Sequence, residues 1–114
     1  MRLVKNLFCV TTLAVVNTAS AQSAVYVAGE GIVECGVYLK ARRDNNETQT
    51  YIYAVWVRGF LSGYNVATPG KSIQKIPGTE TVLVYLDKHC GEHPLDILVT
   101  ASRALAKELV GSNR

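Results

Sequence analysis

Between Ile52 and Gly63 the apolar and small residues follow a fixed rhythm. Ile52, Val55, Trp56, Gly59, Phe60 and Gly63 fall at steps of three, one, three, one and three. That is the period of one face of an α-helix. The run YIYAVWV, Tyr51 to Val57, is rich in β-branched and aromatic residues, which favours a strand. A half-buried strand alternates apolar with polar positions, however, and this run does not. The pattern therefore predicts a helix that starts at a cap on Thr48 or Thr50 and runs to about Val66. Each glycine inside such a helix costs about 1 kcal/mol against alanine. Gly59 and Gly63 share a stripe with Trp56 and Phe60, so the expectation is a flat groove against which a neighbouring helix packs closely. The rival reading is a ligand groove floored by bare backbone.

Three further helices are predicted. Ile32 to Arg43 carries Val33, Val37, Tyr38, Leu39 and Ala41 on its apolar side. Lys40, Arg42 and Arg43 lie in its last turn, where the helix dipole favours cations. Asp44 to Glu47, DNNE, ends it with turn-forming residues. Thr79 to Cys90 reads as a helix capped by Thr79 or Thr81, although Val82 to Leu86 is a continuous apolar run. The last helix is predicted to start at Pro94, with Asp96 in its first turn. Its stripe is Leu95, Leu98, Val99, Ser102, Leu105, Ala106 and Leu109, and Gly111 ends it. Pro69-Gly70 and Pro77-Gly78 bound a surface loop, for which partner binding is a second reading.

The first 21 residues change the picture. Arg2 and Lys5 precede an apolar run from Leu7 to Val16, and Ala19-Ser20-Ala21 supplies the small residues a signal peptidase reads. Residues 1–21 are thus expected to be a secretory signal peptide cleaved after Ala21. The run is too short to act as a membrane anchor. Residues 22–31 read as a flexible arm, and residues 32–111 as a single all-α domain of about four helices.

Losing Arg2 and Lys5 from the chain's 12 Lys and Arg, against 9 Asp and Glu, lowers the formal balance from +3 to +1. That leaves no basic surface for nucleic acid or anionic lipid. Cys35 and Cys90 remain after the leader, and an even pair in an exported chain predicts a disulfide tying the first helix to the end of the third. Closing a loop of that length is worth about 4 kcal/mol in the chain-entropy model.

Candidate chemistry is sparse. His89 and His93 stand four apart, the spacing of a metal half-site, but they straddle the break before Pro94. An oxidised Cys90 cannot ligate beside them. No metal, cofactor or catalytic residue is therefore expected. Ser62 lacks the strand-to-helix elbow that exposes a nucleophile. Tyr51, Tyr53 and Tyr64, with Lys71 and Lys75 of the loop, are the candidate interface residues.

Two segments, WVRGFLSGYN and VLVYLDKHCGEHPLDILVTASRALAKEL, together resemble a loose group of small exported bacterial proteins. The group includes the immunity proteins that protect the periplasm from type VI secretion amidases, and the HdeA-like acid-stress chaperones. The chain departs from the immunity pattern in having no cysteine after Cys90. The resemblance implies a small periplasmic helical protein, and the lack of a catalytic constellation adds the expectation that it has no chemistry of its own. Its partner is expected to be another periplasmic protein, in an immunity, inhibitor or secretion-accessory role. An acid-stress chaperone, and a small-ligand or metal binder, are the alternatives.

Overall fold

The turn after the first helix sets the register of the rest. Asn45 adopts a left-handed backbone (φ 51°), which asparagine tolerates better than most residues. Asn46 Oδ1 then accepts the Gln49 N–H at 3.1 Å and caps the long helix. Neither Thr48 nor Thr50 is the cap; Thr50 instead donates its hydroxyl to the Glu47 carbonyl at 3.1 Å. The geometry comes from a computed structural model that describes residues 25–112. The expected signal peptide and its cleavage point lie outside the described residues.

Among the described residues four α-helices follow a single 3-10 turn, Gly29–Ile32. They are α1 (Cys35–Arg43), α2 (Glu47–Ala67), α3 (Thr79–Glu92) and α4 (Leu98–Gly111). The described residues contain no strand, so the fold is all-α as predicted. α2 lies at the centre and touches α1, α3, α4 and the 3-10 turn. Its buried face is Thr50, Tyr53, Ala54, Val57 and Leu61. Against it stand Val82, Leu83, Leu86 and Cys90 of α3, and Leu98, Ala101, Ser102, Leu105 and Ala106 of α4. Tyr38 is the largest fully buried side chain, and its ring meets Tyr53 edge-to-face at 5.9 Å.

Cys35 and Cys90 form the predicted bridge, with Cα atoms 4.9 Å apart. Two backbone bonds reinforce that corner. Cys35 N–H donates to the Asp96 carbonyl at 2.8 Å, and Leu98 N–H donates to the Val33 carbonyl at 2.9 Å. Extended backbone at Glu34 and Ile97 makes this short antiparallel contact possible. It also corrects two predicted helix starts. α1 begins at Cys35 rather than Ile32, and α4 begins at Leu98 rather than Pro94. In both cases backbone groups that would have opened a helix turn serve this cross-chain pairing. Leu95 falls outside α4 and is almost fully exposed.

Part of the expected flexible arm is docked. The 3-10 turn packs on α2 and α4, and Gly31 is buried. A Cβ at Gly31 would fall inside the Trp56 ring, at Cζ2 and Cη2. Gly29 has φ +69°, a conformation that glycine adopts without strain. Trp56 Nε1–H donates to the Ala28 carbonyl at 3.2 Å.

The loop after α2 is also tethered. Thr68 to Lys71 forms a turn in which Pro69 precedes Gly70 (φ +84°), and Lys71 N–H reaches the Thr68 carbonyl at 3.2 Å. Asn65 clamps Ile73 from both sides: its amide donates to the Ile73 carbonyl at 2.9 Å, and its Oδ1 accepts the Ile73 N–H at 2.6 Å. Ile73 is thereby buried.

Gly31→Ala is expected to lower stability by about 1–3 kcal/mol, as overpacking does. Gly59→Ala, which meets no atom within 4 Å, is expected to raise it by up to about 1 kcal/mol. Urea unfolding of the two variants reads both. Mutating Cys35 and Cys90 together to alanine should cost about 2–5 kcal/mol in the same assay.

Candidate functional site

The outward face of α2 differs from the predicted packing stripe. Gly59 and Gly63 are exposed, and nothing lies within 4 Å of a Cβ built on either. No neighbouring helix uses them. The predicted period was helical, but its phase was wrong by part of a turn. Tyr53, Ala54, Val57 and Leu61 face the core, while Ile52 and Val55 are about two-fifths exposed, at 41% and 42%. Trp56 and Phe60 flank the core, half-buried, and stack on each other at 5.9 Å with planes 22° apart.

The outward surface therefore carries Tyr51, Ile52, Val55, Gly59, Ser62, Gly63 and Val66. Val66 is 85% exposed. From Thr48 to Val66 the only charged residue is Arg58, whose Nε–H is held by the Pro77 carbonyl at 3.0 Å. Ser62 donates its hydroxyl to the Arg58 carbonyl at 2.9 Å. Of the candidate interface residues, Tyr51, Lys71 and Lys75 are exposed and Tyr64 is half-buried against the core. Tyr53 is buried and belongs to the core, a correction that follows from the same shift of phase.

A polar cluster sits where α1 crosses α3. Arg42 pairs with Asp87 through two bonds, Nε to Oδ1 and Nη2 to Oδ2, both 2.9 Å. Both side chains are more than a third exposed, so the pair contributes about 1 kcal/mol or less. The hydroxyl of Tyr38 lies 2.7 Å from Asp87 Oδ1 and 3.0 Å from the Leu83 carbonyl, both acceptors. Burial, then the hydrogen bond to Asp87 and its charge, push the Tyr38 hydroxyl well above the ordinary tyrosine range. Arg42 is likewise raised, chiefly by its bond to Asp87. This arrangement locks a helix crossing and offers no free acid or base.

The histidines occupy the end of α3. His89 Nε2 lies 2.9 Å from Asp96 Oδ2 and is nearly buried. Its ring stacks on Tyr85, and His93 sits 4.9 Å away, centroid to centroid. His93 is the C-cap of α3, its N–H donating to the His89 carbonyl at 2.8 Å. Among the described residues no group of three or more His, Cys, Asp or Glu side chains is placed to hold a metal ion. No helix among them is long and apolar enough to cross a membrane. Asp96, expected in the first turn of α4, instead serves the corner with both carboxylate and carbonyl.

Sequence reasoning missed two features. One is the Asn65 clamp on Ile73, which joins residues eight apart and has no periodic signal. The other is an apolar groove of about 680 Å³ beside Trp56 and Phe60, where α4 and residues 25–28 meet α2. Comparison of the chain with protein-family models, with curated proteins and with solved structures found no match.

Tyr38 supplies a pH test. Its hydroxyl ionises less readily folded than unfolded, so its contribution is fully present below the ordinary value of 10.0 and is lost as pH rises above it. The slope added by one such group is at most about 1.4 kcal/mol per pH unit. Stability of the wild type should therefore fall more steeply above pH 10 than that of Tyr38→Phe, as read by urea midpoints across that range.

Proposed function

We propose that the exported chain is a non-catalytic interaction module of the periplasm that docks one other exported protein on the outward face of α2. The observation that carries this reading is the pair Gly59 and Gly63 on an exposed helix surface. Alanine would fit at both positions and would strengthen the helix. Among the described residues nothing offsets that cost, since none comes within 4 Å of a Cβ built on either glycine. A partner segment laid against it would gain contact that a side chain would block.

The surroundings suit a protein partner. Tyr51, Ile52, Val55 and Val66 give an apolar surface running along the helix. Charge is nearly absent from the face itself, while Lys71 and Lys75 stand exposed on the adjoining loop. Depletion of charge at the centre with polar groups at the rim is the usual layout of an interface. The disulfide suits an oxidising compartment, and the expected leader, residues 1–21, would supply the route to it. An immunity or inhibitor role fits within this reading, with the partner then being an enzyme.

The test is affinity capture from periplasmic extract with wild type and with a Gly59→Leu, Gly63→Leu double variant. Both leucines point into solvent, so helical circular dichroism should be unchanged. The wild type should retain one partner in stoichiometric amount, and the double variant should weaken that binding at least tenfold. Equal retention by both proteins, or no stoichiometric partner for the wild type, would reject the assignment.

A further inference from the structure

The groove between α2, α4 and residues 25–28 has a different character from the outward face of α2. Trp56 and Phe60 form one wall, and Ile97 and Val99 line it from the α4 side. Val27 and the largely exposed Val25 border it from the segment of residues 25–28. Its volume of about 680 Å³ lies in the range of small-molecule sites.

The aromatic wall and Ile97 are fixed before any ligand arrives. Trp56 is held by the Ala28 carbonyl and by the close approach of Gly31, and its stack on Phe60 orients both rings. The indole N–H is thus already satisfied, so the rings present apolar surface. Ile97 is fixed by its backbone pairing with Glu34 next to the disulfide.

Only one lining residue is charged. Arg103 lies one turn beyond Thr100 on the same face of α4, so a guanidinium and a hydroxyl stand together at the groove. No carboxylate lines the groove. The ion pairs among the described residues are Lys40–Asp44, Arg42–Asp87 and His89–Asp96, and Arg103 is in none of them. Apolar walls beside a single unpaired cation are complementary to an amphiphile with an apolar chain and an anionic head. A guanidinium suits a carboxylate in particular, because its fork can donate two parallel bonds.

We infer that this groove binds a free single-chain amphiphilic anion of the fatty-acid type, with the chain along Trp56 and Phe60 and the carboxylate on Arg103 and Thr100. The site is separate from the protein-docking face and stands or falls independently of it.

Trp56 is the only tryptophan in the chain, so its fluorescence reports on the groove directly. Decanoate, decan-1-ol and decyltrimethylammonium, each titrated below the concentration at which it aggregates, share a chain and differ in head group. Decanoate should produce a saturable change and bind about tenfold more tightly than the alcohol, with the ammonium weakest. Lengthening from octanoate to decanoate should tighten binding by up to roughly fourfold per methylene buried. Arg103→Ala, a change at an exposed position, should bring decanoate to the level of decan-1-ol. Val99→Glu should abolish decanoate binding, with folding checked by circular dichroism. Absence of saturable change, equal response to the three head groups, or an unaltered preference in Arg103→Ala would overturn the inference. Binding to phosphatidylglycerol vesicles without binding decanoate would overturn it as well, by moving the ligand from a free amphiphile to a membrane surface.

Discussion

The bond between Cys35 and Cys90 is the constraint around which the other elements settle. It joins residues 55 apart in sequence and brings the start of α1 onto the end of α3. The same corner receives the start of α4 through the Cys35–Asp96 and Val33–Leu98 backbone bonds. His89, one residue from Cys90, adds its contact to Asp96. Three helix ends are thus fastened within one small volume, and two of them are helix starts without a side-chain cap. A domain this small has limited apolar area to bury, so a covalent closure that restricts the unfolded chain carries a large share of its stability.

From that corner the packing spreads through α2. Tyr38 fills the space between α1, α2 and α3, and its hydroxyl is satisfied by Asp87 and the Leu83 carbonyl. No buried side-chain polar atom among the described residues lacks a partner. Trp56 performs the equivalent task for residues 28–31, where Gly31 supplies the clearance that its ring needs. The two aromatic residues act on different surfaces of the same helix. The outward face of α2 stays open at Gly59 and Gly63, where no described residue comes within 4 Å of a built Cβ.

The proposed docking role rests on that uncovered face. A helix held on three sides by α1, α3 and α4 stays rigid without help from its fourth side. The fourth side is free to carry residues that serve contact with another molecule, including glycines that a helix would otherwise exclude. For the proposed docking role, rigidity would also lower the entropic cost of binding, because the surface is set beforehand. The Trp56–Phe60 groove profits from the same arrangement, since its aromatic wall belongs to this helix.

The sequence by itself determined the class of fold, the number and order of helices, and the pairing of the two cysteines. Those follow from local period and from the small number of ways two thiols can pair. It also marked Pro69-Gly70 as the boundary of a loop, because proline and glycine both interrupt a helix. Only the tertiary structure decided which side of α2 is buried. Ile52, Val55, Trp56, Gly59, Phe60 and Gly63 and the true core set of Tyr53, Ala54, Val57 and Leu61 are both helical stripes in a segment that is apolar almost all round. Period fixes a helix; phase depends on the neighbours, and α1, α3 and α4 chose Tyr53 and Val57. The helix starts at Cys35 and Leu98 were hidden for a related reason: extended backbone at Glu34 and Ile97 pairs across 63 positions of sequence, and no local signal reaches that far.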